Sequence, residues 1–235
     1  MTLPPPLVRA VAGILGAAVR SSRPVGGGSI NHAARVELAD GRIAFVKHHP
    51  QAAPGGFASE AAGLRWLGEP RALGVPGVLG VGDDPGARFL ALEWIDAGPA
   101  PADAGERFGR GLARLHRAGA AAFGWDADNM IGPLPQANAP CGTWPAFLAE
   151  RRLLPMARLA RARGGLGASG LARVEALAAR LAELCGPPEP PARLHGDLWG
   201  GNAILGAIGG PAVVDPAVYG GHREMDLAMM RLFGG

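Results

Sequence analysis

The chain has little cysteine: Cys141 and Cys185 are the only two among 235 residues. They stand far apart and show no metal-ligand spacing. That argues against a disulfide framework and a thiolate metal site, and fits free thiols in a reducing, cytoplasmic compartment. No run of about eighteen apolar residues occurs, so no membrane-spanning helix is expected. Dense stripes of basic residues interleaved with aromatics are also missing, and the net charge is only +3. This excludes an electrostatic nucleic-acid binder. Glycine and proline are plentiful, 38 and 22, but follow no period, so collagen-like and solenoid architectures are excluded. With 48% hydrophobic residues the chain has the composition of a globular protein, long enough for one large domain or two lobes.

The apolar segment Leu7 to Val19 resembles a signal peptide only superficially. No basic residue precedes it, and Arg9 interrupts it. Leu7, Val11, Ile14, Leu15 and Ala18 share one helical face after Pro4-Pro5-Pro6, which predicts a packed helix. Residues 22–47 read as strand, glycine-rich loop, strand, turn, strand. Arg23-Pro24-Val25 leads into Gly26, Gly27, Gly28, Ser29, Ile30 and Asn31, then Ala33 to Leu38, an Asp40-Gly41 turn and Ile43 to Lys47. A glycine-rich turn between strands lets backbone N–H groups approach a phosphate. After Pro54-Gly55-Gly56 a helix presents Phe57, Ala61, Leu64 and Leu67 on its apolar face, with Glu60 in the same stripe. A carboxylate there needs a partner, and Lys47 at the end of the neighbouring strand is the candidate.

A further strand runs from Phe89 through Glu93, Trp94 and Ile95. Asp96-Ala97-Gly98-Pro99 breaks it. This is the expected boundary between two lobes, 1–97 and 98–235. The second lobe is expected to be mainly helical. One helix carries Phe108, Leu112 and Leu115, a second runs from Trp144 to Arg163 with a break at Pro155, and a third is N-capped by Ser169. Arg151, Arg152, Arg158 and Arg161 read as a solvated face.

The sharpest signal is His195-Gly196-Asp197-Leu198-Trp199-Gly200-Gly201-Asn202, followed by Asp215. Ala203 to Leu205 and Ala212 to Val214 predict a hairpin around Gly206, Gly209, Gly210 and Pro211. Antiparallel pairing would bring Asn202 and Asp215 together at its open end. Two oxygen ligands there suit Mg2+, and Asp197 enters the same hairpin. An acid, an amide and a second acid in this order fit phosphoryl transfer from a metal-bound nucleotide.

Taken together, these residues resemble the fructosamine kinase (ketosamine-3-kinase) family of the protein-kinase-like superfamily, which also holds aminoglycoside and choline phosphotransferases. The resemblance runs from about Gly26 to the last residue. It rests on the blocks at 26–33, 123–132, 195–202, 215–219 and 221–229 and on the Lys47/Glu60 pair. It implies a two-lobe α+β fold, with a small antiparallel sheet and helix in the first lobe and a mainly helical second lobe. The implied activity is ATP-dependent phosphorylation of the C3 hydroxyl of a ketoamine, followed by spontaneous loss of the sugar. Its partners would be small-molecule ketoamines or glycated protein lysines. Asp197 would be the catalytic acid–base group and Asn202 and Asp215 the Mg2+ ligands. Lys47, positioned by Glu60, and the loop Gly26–Asn31 would hold the phosphates. Glu93, Trp94 and Ile95 would border the adenine, and Trp199, His222 and Asp226 would lie near the sugar, with bracing of the catalytic loop as the other reading of Asp226. Relatives often carry Cys where this chain has Ser29, so a thiol switch at that position is not available here. They also usually continue past the Leu-Phe-Gly-Gly segment, so a shortened second lobe is expected. Two other readings stand beside this one: a related kinase of aminoglycoside or choline type, and a non-catalytic ATP-binding protein.

Overall fold

The computed structural model describes residues 3–26, 31–49 and 51–233. Helix α1 (Pro5–Leu15) opens on two prolines, where no intrahelical N–H bond is lost. It stops at Gly16, which takes a left-handed φ of 69°. The helix is therefore shorter than its apolar run predicts, and Val19 belongs to the next strand. Strands β1 (Val19–Val25), β2 (His32–Leu38), β3 (Ile43–His48), β4 (Val78–Gly82) and β5 (Phe89–Glu93) form an antiparallel sheet in the order β1-β2-β3-β5-β4. Helix α2 (Gly56–Gly68) lies between β3 and β4 in the chain.

Alternation along the strands assigns two cores. Val36, Ala44, Val46 and Phe89 pack with Leu7, Val11 and Leu15 of α1. Phe45, Leu90 and Leu92 pack with Phe57, Ala61 and Leu64 of α2. Lys47 has the parity of Phe45 and so turns toward α2. Strand β4 was not visible in the sequence, because two of its five residues are glycine. The glycines make room for neighbours. A Cβ on Gly80 would stand 2.4 Å from Ile14 Cγ2, and one on Gly82 would stand 2.3 Å from Phe89 Cε1.

The second half begins with α3 (Ala104–Arg117) and the short strands β6 (Asn129–Ile131) and β7 (Leu134–Gln136). Helix α4 (Trp144–Phe147) continues through a π-helical turn (Leu148–Leu153) into α5 (Leu154–Ala162). Pro155 therefore does not break the helix. It falls in the first turn of α5, directly after the widened segment. Helix α6 (Ala168–Ala179) is capped by Gly167, and Ser169 lies inside it. Next come α7 (Leu181–Leu184), β8 (Ala192–Leu194), a 3-10 turn (Gly200–Asn202), β9 (Ala203–Ile204), β10 (Ala212–Val213), β11 (Tyr219–Gly221) and α8 (Glu224–Phe233).

Arg152 departs from the solvated face expected of it. Its guanidinium lies over the rings of Tyr219 (4.2 Å) and Phe147 (4.6 Å) and donates to Ala137 O and Asn138 Oδ1, each at 2.7 Å. Burial pushes the Tyr219 phenol up to about 12 despite the attraction of Arg152. A third core joins the halves: Leu67 and Ala72 meet Phe108, Leu112 and Leu115 of α3, together with Leu198, Val213 and Val218. It lies directly beneath the loop that follows β8.

Candidate active site

Strand β8 pairs with β11 (Leu194 opposite Tyr219) and delivers the chain to His195. That imidazole is fully buried. Nε2 donates to Val214 O at 2.9 Å, and Nδ1 accepts from Asp197 N at 3.2 Å. The two bonds specify one tautomer, and burial lowers the pKa so that the ring stays neutral. Gly196 follows with φ 84°. A Cβ there would lie 1.9 Å from Ala217 O, so no other residue fits without moving the 215–219 segment.

Asp226, in the first turn of α8, holds this loop from within. Its carboxylate is 1% exposed and accepts from His195 N (3.0 Å), Gly196 N (2.9 Å) and His116 Nε2 (2.9 Å). Of the two readings of Asp226, these contacts favour bracing the loop, since its oxygens are already committed there. His222 is not brought to this group of side chains. It follows Gly221, which pairs with Ala192 at the end of β8 away from His195. Its ring packs near Trp144 and lies 3.7 Å from Glu189 Oε2.

On the open side of the loop the candidate reactive groups converge. The hairpin of β9 and β10 sets Ala203 opposite Val213, and Val214 N donates to Asn202 O at 3.0 Å. Asn202 Nδ2 donates to Asp197 O (2.8 Å) and Oδ2 (3.2 Å), which leaves its Oδ1 as a free acceptor. Asp215 takes a φ of 53°, rare for a residue with a side chain and a form of strain that concentrates at functional sites. Lys47 Nζ lies 3.0 Å from both oxygens of Glu60 and 3.2 Å from Asp215 Oδ1. Burial opposes its charge, but the Glu60 and Asp215 carboxylates outweigh that and hold its pKa above the ordinary value. Burial likewise pushes the Asp197 carboxyl up, against the nearby His195 and the hydrogen bond from Asn202.

Two acceptors of hard-oxygen type, Asn202 Oδ1 and the Asp215 carboxylate, suit a divalent cation such as Mg2+ that takes its other ligands from phosphate and water. Among the described residues no group of three His, Cys, Asp or Glu side chains gathers into a metal cage.

The remaining expected positions are mixed. Gly27, Gly28, Ser29 and Ile30 lie outside the described residues. Gly26 follows β1 and is exposed, and Asn31 precedes β2. Glu93 ends β5, its carboxylate accepting from Gly77 N at 3.1 Å. The Trp94 ring lies under the Arg35 guanidinium at 5.5 Å and 6.5 Å from Phe45, on the sheet face that carries Lys47. Ile95 follows in the connector between the halves. Trp199 is 39% exposed, with its indole over Gly201.

Sequence reasoning passed over a second set of groups. Asn129 Nδ2 donates to Val218 O, and Gln136 Nε2 donates to Ala217 O and Asn129 Oδ1. These amides fasten the 215–219 segment. Their signal was three amide residues in a short stretch, Asn129, Gln136 and Asn138, the last two of them buried. A plainer signal was also missed: Lys47 is the only lysine in the chain. Where every other such cation is arginine, a single retained ammonium marks a position that a guanidinium does not serve.

A small antiparallel sheet carrying a Lys–Glu pair, joined to a helical half with a His-Gly-Asp loop and a hairpin that brings Asn202 and Asp215 together, defines the class of kinase-like phosphotransferases. Comparison with known proteins narrows this. The fructosamine kinase family profile matches residues 9–235, and the chain belongs to that family. It is 39% identical over 220 residues to a candidate ketoamine kinase of Synechocystis sp., covering 92% of this chain and 72% of the relative. It is 36% identical over 211 residues to the chloroplastic protein-ribulosamine 3-kinase of Arabidopsis thaliana, covering 87% and 63%. The crystal structure of a candidate fructosamine-3-kinase from Thermobifida fusca superposes with a TM-score of 0.86 at 47% identity, covering 97% of this chain and 78% of that one. An aminoglycoside phosphotransferase of the APH(2″)-IIa type shares the fold alone, at 14% identity and a TM-score of 0.57.

Proposed function

We propose that this protein is an ATP-dependent kinase that phosphorylates the C3 hydroxyl of ketoamines, small sugar–amine adducts or glycated lysines, and so initiates deglycation. One observation carries the reading. Asp197, Asn202, Asp215 and the Lys47–Glu60 pair, drawn from both halves of the chain, converge within hydrogen-bonding distance of one another. Family membership supports the acceptor class, since relatives are named as kinases of ketoamines and ribulosamines. In this reading the lobes divide at 97/98, the connector Glu93–Ile95 borders the adenine, and the glycine-rich segment 26–31 serves the phosphates by its sequence.

Each residue has a defined task. Asp197 accepts the proton of the attacking hydroxyl, and its burial makes it a better base than an ordinary aspartate. Asn202 keeps Asp197 oriented with its Nδ2 and offers Oδ1 to the cation. Asp215 offers the second oxygen. Lys47, kept protonated by Glu60, places its charge against the phosphates. Bound Mg2+ would neutralise charge on the phosphate oxygens. Phosphoryl transfer needs little covalent help, so beyond the proton taken by Asp197 the protein contributes positioning and charge.

The test measures ADP release from ATP–Mg2+ with lysine ketoamines of ribulose and fructose, for the wild type and Asp197→Asn. Turnover that disappears in the variant supports the reading. Preference for an aminoglycoside or choline would overturn the acceptor, and nucleotide binding without turnover on any acceptor would overturn the activity.

A further inference from the structure

A cleft of about 740 Å3 shares the connector Glu93–Ile95 with the candidate active site but contains none of Lys47, Asp197, Asn202 or Asp215. Its other walls are the segment after α2, the exposed side of α3 and the turn between β9 and β10. Four arginines line it: Arg71, Arg107, Arg110 and Arg114. The last three lie at i, i+3 and i+7, on one face of α3. Like charges at this spacing destabilise a helix by repulsion, so the row gains from an anion brought against it.

Little in the protein answers these charges. Among the described residues, Arg71 and Arg107 have no ion-pair partner, while Arg110 pairs with the exposed Glu106 at 2.6 Å. Glu93 is the one carboxylate lining the cleft, and it accepts a hydrogen bond from Gly77 N. One guanidinium is held in place and a second lies against a turn. Arg114 donates to Ala72 O at 3.0 Å, and Arg107 lies so close to the β9–β10 turn that a Cβ on Gly210 would stand 3.0 Å from its Nη2. Arg71 itself occupies the left-handed region, φ 50°, an uncommon and costly backbone for arginine. Beside the arginines the wall is apolar, with Trp94 and Ile95 on the connector. The floor is tied across the two halves by Gly74 N to Pro211 O (3.0 Å) and Val213 N to Gly74 O (2.8 Å).

We propose that this cleft is a second binding site, separate from the site of phosphoryl transfer, for a phosphorylated small molecule. Its phosphate meets Arg71, Arg107, Arg110 and Arg114, and its apolar body rests on Ile95, Val75 and Pro76. Guanidinium forks suit phosphate oxygens in pairs, and the volume is that of a small-molecule pocket, about 300–1,000 Å3. Because the walls come from both halves, an occupant bridges them.

Titration calorimetry of the full chain in EDTA, with phenyl phosphate and inorganic phosphate as probes, tests this without the metal or the kinase activity. Phenyl phosphate is expected to bind at one equivalent and more tightly than inorganic phosphate. Arg107→Ala/Arg110→Ala weakens it by about tenfold or more. Lys47→Met leaves it unchanged, as does Arg158→Ala/Arg161→Ala, which removes the same charge elsewhere. The double variants alter exposed side chains and are checked for fold by circular dichroism. Absence of saturable binding to the wild type overturns the proposal. So does loss of binding in Lys47→Met, or equal weakening by the two double variants. Equal affinity for the two probes overturns the apolar half of the site.

Discussion

Asp215 and Asp226 both contact the loop 195–202, and they differ in what their oxygens have left to do. Asp226 is almost wholly buried and accepts three hydrogen bonds, two of them from the loop backbone. Asp215 keeps 41% of its side chain exposed, pairs with Lys47 through one oxygen and sits on a strained backbone. The first is a saturated carboxylate, and its return is rigidity. The second is kept accessible, and the fold carries the strain of holding it there. Acids that do chemistry and acids that support it are thus separable by their remaining acceptor capacity, although both are simply aspartates to a reader of the sequence.

That distinction can be broken by exchanging the effects of the two kinds of acid. The largest expected effect is on turnover. Asp197→Asn lowers kcat about 100- to 10,000-fold in the ketoamine assay while thermal unfolding is unchanged or slightly improved. The sign follows from burial, which raises the Asp197 pKa, so the charged form at neutral pH is a cost to the fold that asparagine does not carry. Asp226→Ala should do the reverse in the first instance. It strips three donors of their acceptor and lowers stability by about 3–5 kcal/mol in denaturant unfolding. If Asp226→Ala unfolds normally yet loses turnover, the division fails.

Smaller effects sharpen the contrast. Glu60→Gln removes a charged partner of Lys47 and is expected to reduce turnover about 10- to 100-fold, from about 1.5–3 kcal/mol of lost interaction. The same variant should make Lys47 react faster with an amine-directed acylating reagent, because the ammonium loses a carboxylate that holds its pKa high. Mass spectrometry reads this at a single side chain. The smallest effect concerns pH. His195 is buried neutral with a depressed pKa, so the stability it contributes is present above the unfolded value of about 6.5 and is lost as pH falls below it. Comparing wild type with His195→Asn by urea unfolding between pH 5 and pH 8 should show a shallower acid-side loss in the variant.

The residues of the candidate site were legible because their relations are local or chemically conspicuous. Asn202 and Asp215 are joined by one hairpin, and Glu60 stood out as an acid in an apolar stripe. Asp226 could not be decided between the sugar and the catalytic loop, because its partners cannot be inferred from its neighbourhood. They lie 30, 31 and 110 residues away, at Gly196, His195 and His116. In the fold, β4 was hidden by glycines whose value lies in the side chains they admit, Ile14 and Phe89. Pro155 was over-read as a helix break because nothing local announces a π-helical turn just before it. Contacts distant in sequence, and residues defined by the space they leave, were what the linear pattern withheld.

The solitary lysine has a consequence for the protein as a chemical object. Reducing sugars condense with exposed primary amines, and the only ε-amine in these 235 residues is buried between two carboxylates that keep it protonated. A surface whose side-chain cations are arginines offers no lysine for a sugar to attack. A kinase that repairs glycated lysines would, over these residues, present no exposed ε-amine of its own to the sugars whose adducts it removes.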